Sequence, residues 1–186
     1  MGDLTIGTKA VLSQSGSAEA VLSGDLTFPV GHVLQVFGAV KTDVETYTTT
    51  STWTNIDDIT QAITLSSASN KVLMSFTGCF GTTDTYHHFI RFARGGTGIG
   101  VGDSAGSRTQ AGAKIDWGDD AGGDQNGMRS VGMQFIEAPG SVGPHTYTVQ
   151  YLLTGGTMYV NRADVDSDGA NAGRTICTLT LTEIVA

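Results

Sequence analysis

Cys177-Thr178-Leu179-Thr180-Leu181-Thr182-Glu183-Ile184, near the C-terminus, decides the fold. Cys177, Leu179, Leu181 and Val185 alternate with Thr178, Thr180, Thr182 and Ile184. Successive side chains of an extended chain point to opposite faces, so this period of two predicts a strand. The same pattern recurs upstream. Tyr147, Val149, Tyr151 and Leu153 share one face, as do Val131, Met133 and Phe135. Tyr86, His88, Ile90 and Phe92 share a face opposite His87, Phe89 and Arg91, and Ile59, Gln61, Ile63 and Leu65 alternate with Thr60, Ala62 and Thr64. His32 to Val40 and Val72 to Thr77 are short apolar runs of the kind buried strands show. β-Branched and aromatic residues fill these segments, and none shows a sustained helical stripe. Ile56-Asp57-Asp58-Ile59 is at most a turn. Strands of this number and spacing predict an all-β chain, an antiparallel, jelly-roll-like β-sandwich.

The 186 residues suit one domain with a real core rather than two. Charged residues make up 15% of the chain, against about 25% in typical globular domains, so hydroxyls and small side chains must cover much of the surface. Such a composition is common in β-proteins that pack against copies of themselves. The net charge of −8 and the four dispersed lysines, Lys9, Lys41, Lys71 and Lys114, argue against nucleic acid and against an acidic membrane as partners. No basic segment followed by an apolar run opens the sequence, and no apolar stretch approaches the length of a membrane span. Cys79 and Cys177 lack metal-ligand spacing and read as buried thiols in strands, pairing only if those strands are neighbours.

Residues 1–30 differ from the rest. Ala10-Val11-Leu12-Ser13 recurs as Ala20-Val21-Leu22-Ser23, separated by a Ser/Gly-rich spacer. Two short apolar patches cannot fold alone and need a further surface. The segment is expected to be an extended N-terminal arm for attachment or subunit exchange, with Val11, Leu12, Val21 and Leu22 making contacts to subunit or particle. Phe28-Pro29-Val30-Gly31 reads as the hinge into a body at 31–186.

Candidate chemistry is sparse. Gly102-Asp103-Ser104-Ala105-Gly106 fits the G-x-S-x-G pattern of a hydrolase nucleophile, which needs a strand before the serine and a helix after it. Ser107 to Gly112 is no helix start, His145 is the only downstream histidine, and the α/β architecture is missing. Ser104 therefore reads as a turn residue and the chain as no enzyme. Asp164-Val165-Asp166-Ser167-Asp168-Gly169 matches the first half of a calcium loop, but the twelfth position is Thr175 rather than glutamate. Asp164, Asp166 and Asp168 are thus a weak calcium candidate, and no metal or cofactor is expected. Asp116, Asp119, Asp120 and Asp124 crowd a Gly-rich loop with Trp117, solvated or facing a cation or an arginine of another subunit. His87 and His88 point to opposite faces and cannot chelate together. No spacing of acids supports a glycosidase pair.

The order of several motifs carries a resemblance. Gly31 to Val36, Lys41-Thr42-Asp43, Thr48 to Trp53, Ile59 to Ser66 and Ser69 to Leu73 come first. Gly100 to Gln110, Tyr147 to Gln150, Gly155 to Arg162 and Thr180 to Ile184 follow. With these, the chain from about Phe28 to Ala186 resembles a family of β-rich virion proteins of tailed bacteriophages, especially marine ones such as cyanophages. The resemblance implies a trimeric module on the outer surface of the virion, in fibre or head-surface proteins, made in the host cytoplasm and without catalytic residues. The family often places this domain after a long fibre region, whereas here a thirty-residue arm precedes it. The expected function is a homotrimeric capsid decoration or cement protein that binds the major capsid protein or tail proteins. A short tail fibre or knob contacting a host surface glycan, and a carbohydrate-binding module using Trp53 or Trp117, are the alternatives. Arg108, Asn161 and Arg162 are expected as intersubunit hydrogen-bonders.

Overall fold

The computed structural model describes residues 4–14, 18–19, 21–22, 27–48, 51–82, 87–115 and 127–186. Fourteen strands and no helix are present among them. The arm holds β1 (Leu4–Ile6), β2 (Lys9–Ser13) and β3 (Val21–Leu22). The body runs through β4 (Val33–Lys41), β5 (Glu45–Tyr47), β6 (Thr54–Ile63), β7 (Lys71–Thr82), β8 (His88–Arg94), β9 (Thr97–Ile99) and β10 (Ala113–Ile115). It ends with β11 (Arg129–Glu137), β12 (His145–Leu153), β13 (Met158–Val160) and β14 (Cys177–Ile184).

The body is a doubled chain. β4 pairs with β14, β6 with β12, β7 with β11 and β8 with β10, all antiparallel. The first half therefore meets the second half in reverse order, as in one long hairpin bent at β8–β10. Successive pairs fall alternately into two sheets. Sheet I runs β4-β14-β7-β11 and sheet II runs β6-β12-β8-β10. This winding is the jelly-roll form of the sandwich expected from the alternating sequence.

Two columns of sheet I are interrupted. β7 pairs along one edge first with β14, through Lys71–Thr77, and then with β13, through Phe80–Thr82. β13 thus continues the column of β14, and β5, which pairs with β13, continues that of β4. Residues 161–176 leave the sheet between β13 and β14, and 42–44 leave it between β4 and β5.

Period two accounts for the core. β14 buries Cys177, Leu179, Leu181 and Glu183, while β12 buries Tyr147, Val149, Tyr151 and Leu153. Met74, Phe76 and Phe80 of β7 meet Ile90 and Phe92 of β8 between the sheets. One departure lies at Ile56–Ile59. Thr148 of β12 faces Thr60 and Gln150 faces Asn55, so β6 carries extra residues there. The bulge is turned by Asp58 at a φ of 63°, and it buries both Ile56 and Ile59. Tyr47 clamps it from sheet I, stacking on Tyr151 at 4.3 Å and accepting the Asp57 N–H at 2.9 Å.

Cys79 and Cys177 are both free thiols. Cys177 is core-facing and its pKa is pushed up to about 11 by burial. Cys79 is instead half-buried on the outer face of β7, bonded to Ser130 at 3.0 Å, so the expectation of two buried thiols holds for one. The two point to opposite faces of one sheet, which precludes a bridge.

Glu183 occupies an apolar-face position of β14 as a fully buried carboxylate. Its Oε1 accepts Ser66 N–H at 2.7 Å, Ser66 Oγ–H at 2.8 Å and Asn70 Nδ2–H at 2.6 Å, and its Oε2 accepts Gln35 Nε2–H at 2.5 Å. The acid thus ties the β6–β7 connection and β4 to the last strand. Burial alone would raise its pKa. The bonds from Asn70, Ser66 and Gln35 outweigh that and hold the carboxyl below its ordinary value.

A depressed folded-state pKa contributes stability above the unfolded carboxylate value, and that contribution is lost as pH falls through the folded one. Glu183→Gln, which places an amide donor among donors, is expected to cost about 3 kcal/mol at neutral pH. It should also flatten the acid limb of a stability–pH profile measured by urea denaturation below about pH 4.

Candidate functional site

The expected contact residues separate into three environments. The first is the arm. Its two sequence echoes are neighbouring strands, with Leu12 opposite Leu22 and Ser13 opposite Val21. Leu4 pairs with Leu12 on the other side, so Leu4, Leu12 and Leu22 form one cross-strand row. The arm is thus a small three-stranded antiparallel sheet rather than one extended segment, and no ladder joins it to the body sheets among the described residues. Val11 and Leu12 are half-buried. Leu4, Ile6, Val21 and Leu22 stand 58%, 74%, 59% and 59% exposed. Such a sheet has no core of its own to satisfy.

The hinge is fixed to the body. Gly31 N–H bonds Val185 O at 2.8 Å, Val185 N–H bonds His32 O at 2.9 Å, and Phe28 stacks on His32 at 4.4 Å. These bonds begin the β4–β14 ladder, so the arm leaves from the end of sheet I.

The second environment surrounds Asn161, at the level where both columns of sheet I break. Asn161 is fully buried at a φ of 62°. Its Nδ2 donates to Lys41 O at 3.0 Å and Asp43 O at 2.9 Å, and its Oδ1 accepts from Cys177 Sγ at 3.3 Å. Its backbone N–H bonds Cys79 O at 3.0 Å, and its carbonyl accepts Thr175 N–H at 3.2 Å. The expectation of an intersubunit role for Asn161 is corrected here, because its amide is used entirely within its own chain. Beside it, Lys41 is only 2% exposed. Its Nζ meets Glu45 at 2.8 Å, Asp43 at 3.0 Å and Asp58 at 3.6 Å. Burial alone would lower the Lys41 pKa, but the carboxylates of Glu45 and Asp43 raise it above its ordinary value and keep it charged.

Arg162 stacks on Tyr159 at 3.9 Å. Its guanidinium donates to Ala163 O and Asp164 O, both at 3.0 Å, and to Thr46 Oγ1 at 3.2 Å. It pins the start of the 161–176 excursion to β5. Further along, Asp166 pairs with Arg174. Asp166 and Asp168 are exposed and Asp164 half-buried, and no group of three or more His, Cys, Asp or Glu among the described residues converges for a metal. The acidic loop of Asp116, Asp119, Asp120 and Asp124, with Trp117, lies outside the described residues, as does Tyr86.

The third environment is the bend of the doubled chain. Gly102 N–H bonds Ala111 O at 3.2 Å and Gln110 Nε2 bonds Gly102 O at 2.8 Å, closing the loop at its base. At its tip Arg108 bonds Ala105 O through both N–H and side chain, with Gly106 at a φ of 61°. Ser104 and Arg108 are exposed. No helix follows Ser104, so a nucleophile elbow is not built there. A shallow depression of about 420 Å³, lined by residues including Arg94, Pro144 and His145, lies near one end of the sandwich. Its cation is already engaged, since Arg94 Nε meets Glu137 at 3.0 Å and Tyr147 O–H donates to the same carboxylate at 2.7 Å.

Trp53 lies on the outer side of sheet II with the Arg91 guanidinium 4.1 Å over its ring. Arg91 Nε donates to Gln150 at 2.9 Å, and Gln150 Nε2 donates to Asn55 at 3.0 Å. This ladder satisfies its members internally and covers one face of the indole.

The sequence missed the outer face of sheet I, although its signal was present in the threonines of Cys177–Ile184. Register places Val40, Thr178, Thr77 and Gly132 in one row across β4, β14, β7 and β11. Gly38, Thr180, Ser75 and Gln134 form the next, and Val36, Thr182, Leu73 and Ile136 the third. None of the twelve carries a charge.

Asn161 combines a left-handed backbone with bridging side-chain bonds, and two variants separate these. Asn161→Ala is expected to lose about 3 kcal/mol in urea denaturation. Asn161→Gly, which accepts the positive φ, should be about 1 kcal/mol less damaging.

No family model matches the chain, and no curated protein matches it. A solved structure of the infectious bursal disease virus Gx strain is similar to it at 10% sequence identity and a TM-score of 0.40. The similarity covers 94% of this chain and 41% of that one.

Proposed function

We propose that the chain is a structural protein of a virus particle, without catalytic activity, that assembles as a homotrimer on the outer surface of a tailed phage. The observation that carries this reading is the arm. Four large apolar side chains stand more than half exposed on a three-stranded sheet that pairs with nothing in its own body among the described residues. Surfaces of this kind mark sites of protein–protein contact. A sandwich with an apolar sheet at one end, joined to it by no ladder among the described residues, suits a module that docks onto a larger assembly. The resemblance of the body motifs to phage virion proteins supports the same reading, with the major capsid or a tail protein as the proposed partner. Within it, the exposed apolar side chains of the arm sheet suit a capsid decoration or cement role.

The arm and body are separable in this account, because the β4–β14 ladder and the Glu183 bonds that close the body begin after Phe28. Deletion of residues 2–27 is expected to leave a folded oligomer that no longer co-sediments with particles. Full occupancy of particles by the truncated protein would refute attachment through the arm.

A further inference from the structure

We propose that the outer face of sheet I is the surface on which copies of this chain meet, a deepening of the homotrimer reading on which it rests. Two glycines carry the inference. Gly38 and Gly132 sit inside long strands, exposed, on the outward side. Neither has a positive φ, so the backbone does not require glycine at either position. A Cβ at Gly132 would meet nothing within 4 Å, and one at Gly38 would meet only Leu179 O at 3.4 Å, an ordinary contact. A strand-interior glycine weakens its strand and marks close approach of another backbone or ligand. Among the described residues nothing lies over Gly132 and only Leu179 O lies near Gly38, which leaves this face open to the backbone of a second copy.

The rest of the face suits a second copy. Its hydroxyls are largely paired side to side: Thr77 with Thr178 at 2.8 Å, Gln134 with Ser75 at 3.1 Å and Ser130 with Cys79 at 3.0 Å. Polar groups already bonded within a face cost little when water leaves it. Val36, Val40 and Ile136 stand 57%, 57% and 54% exposed on the same side and supply the apolar gain. The chain carries a net charge of −8, yet none of it falls on the three central rows, and Lys71 stands at their margin. Like-charged copies therefore meet there without repulsion. Four columns about 4.8 Å apart and strands of about nine residues give a sheet face of about 600 Å² in projection. About a threefold axis each copy shares this face between two neighbours, so each contact lies at the small end of protein interfaces. The outer side of sheet II, with Arg91, Trp53 and Lys114, offers no such uncharged plane.

The test is sedimentation velocity of the full chain, its Gly132→Glu and Thr180→Glu variants, and the 2–27 deletion, with far-UV circular dichroism and thermal melting on each. The open space over Gly132 lets a side chain stand there without disturbing the isolated fold, so this variant decides should Thr180→Glu fold poorly. The full chain and the arm deletion are expected to sediment as oligomers. The two glutamate variants should sediment as folded monomers at concentrations where the full chain is assembled. A monomeric full chain, or a folded Gly132→Glu variant that remains oligomeric, overturns the proposal. If the arm deletion alone dissociates, the copies join through the arm and the proposal fails. Particle binding by monomeric Gly132→Glu, weakened but retained through the arm, keeps the failure of this proposal distinct from failure of the attachment reading.

Discussion

Sheet I depends on one buried amide. Its two columns β4/β5 and β14/β13 break at the same level, with the carbonyls of Lys41 and Asp43 at the break. Asn161 donates to both from Nδ2 and bonds Cys79 and Thr175 through its backbone. Unpaired polar groups at this depth would each cost on the order of 1–3 kcal/mol. The left-handed conformation that lets Asn161 reach them is one asparagine adopts more readily than most residues. With the gap closed, the chain leaves for sixteen residues (161–176) and returns to the same column, so β14 still buries Cys177, Leu179 and Leu181. Lys41 and its three carboxylates seal the rim above the same break.

The second consequence is mechanical. A doubled chain whose halves pair strand for strand puts the hinge at Phe28–His32, the last strand and the Glu183 network at one end of the ladder. The arm leaves the body there, while the loop 100–112 forms at the bend of the hairpin. The sandwich therefore exposes three distinct surfaces: an apolar handle, an uncharged sheet face and a polar sheet face built on Arg91, Gln150 and Asn55. The depression near Arg94 and His145 is open, and its arginine is already engaged by Glu137. The proposed division of labour follows from this geometry, with the handle for the particle and the uncharged face for copies.

Strand periodicity in the sequence located the body strands because each has one buried face. Cys177–Ile184 and Arg129–Glu137 alternate as read, while His145–Leu153 buries Thr148 and Gln150 as well as its aromatic face. The short strands β5, β9, β10 and β13 were not legible, since three residues carry no period. The bulge at Asp58 was visible only as a turn, because its two isoleucines sit at a spacing neither helix nor strand predicts. Asn161 and Glu183 were not legible as buried residues. A polar residue at the end of an apolar strand reads as surface, and only the distant partners Lys41, Ser66 and Asn70 reveal burial. The echo at Ala10–Ser13 and Ala20–Ser23 was legible as a repeat but not as a hairpin. Glycines 38 and 132 became informative only when the space around each could be inspected.

The claim that copies meet on sheet I is tested most directly by the reactivity of Cys79. Cys79 lies on that face and Cys177 is sealed in the core, so alkylation of the native protein reports one thiol. Covering the face predicts that Cys79 modification slows steeply as protein concentration carries the chain into its oligomer, while Cys177 stays unmodified throughout. A Cys79 rate independent of concentration, in a sample shown to be oligomeric, would contradict the account.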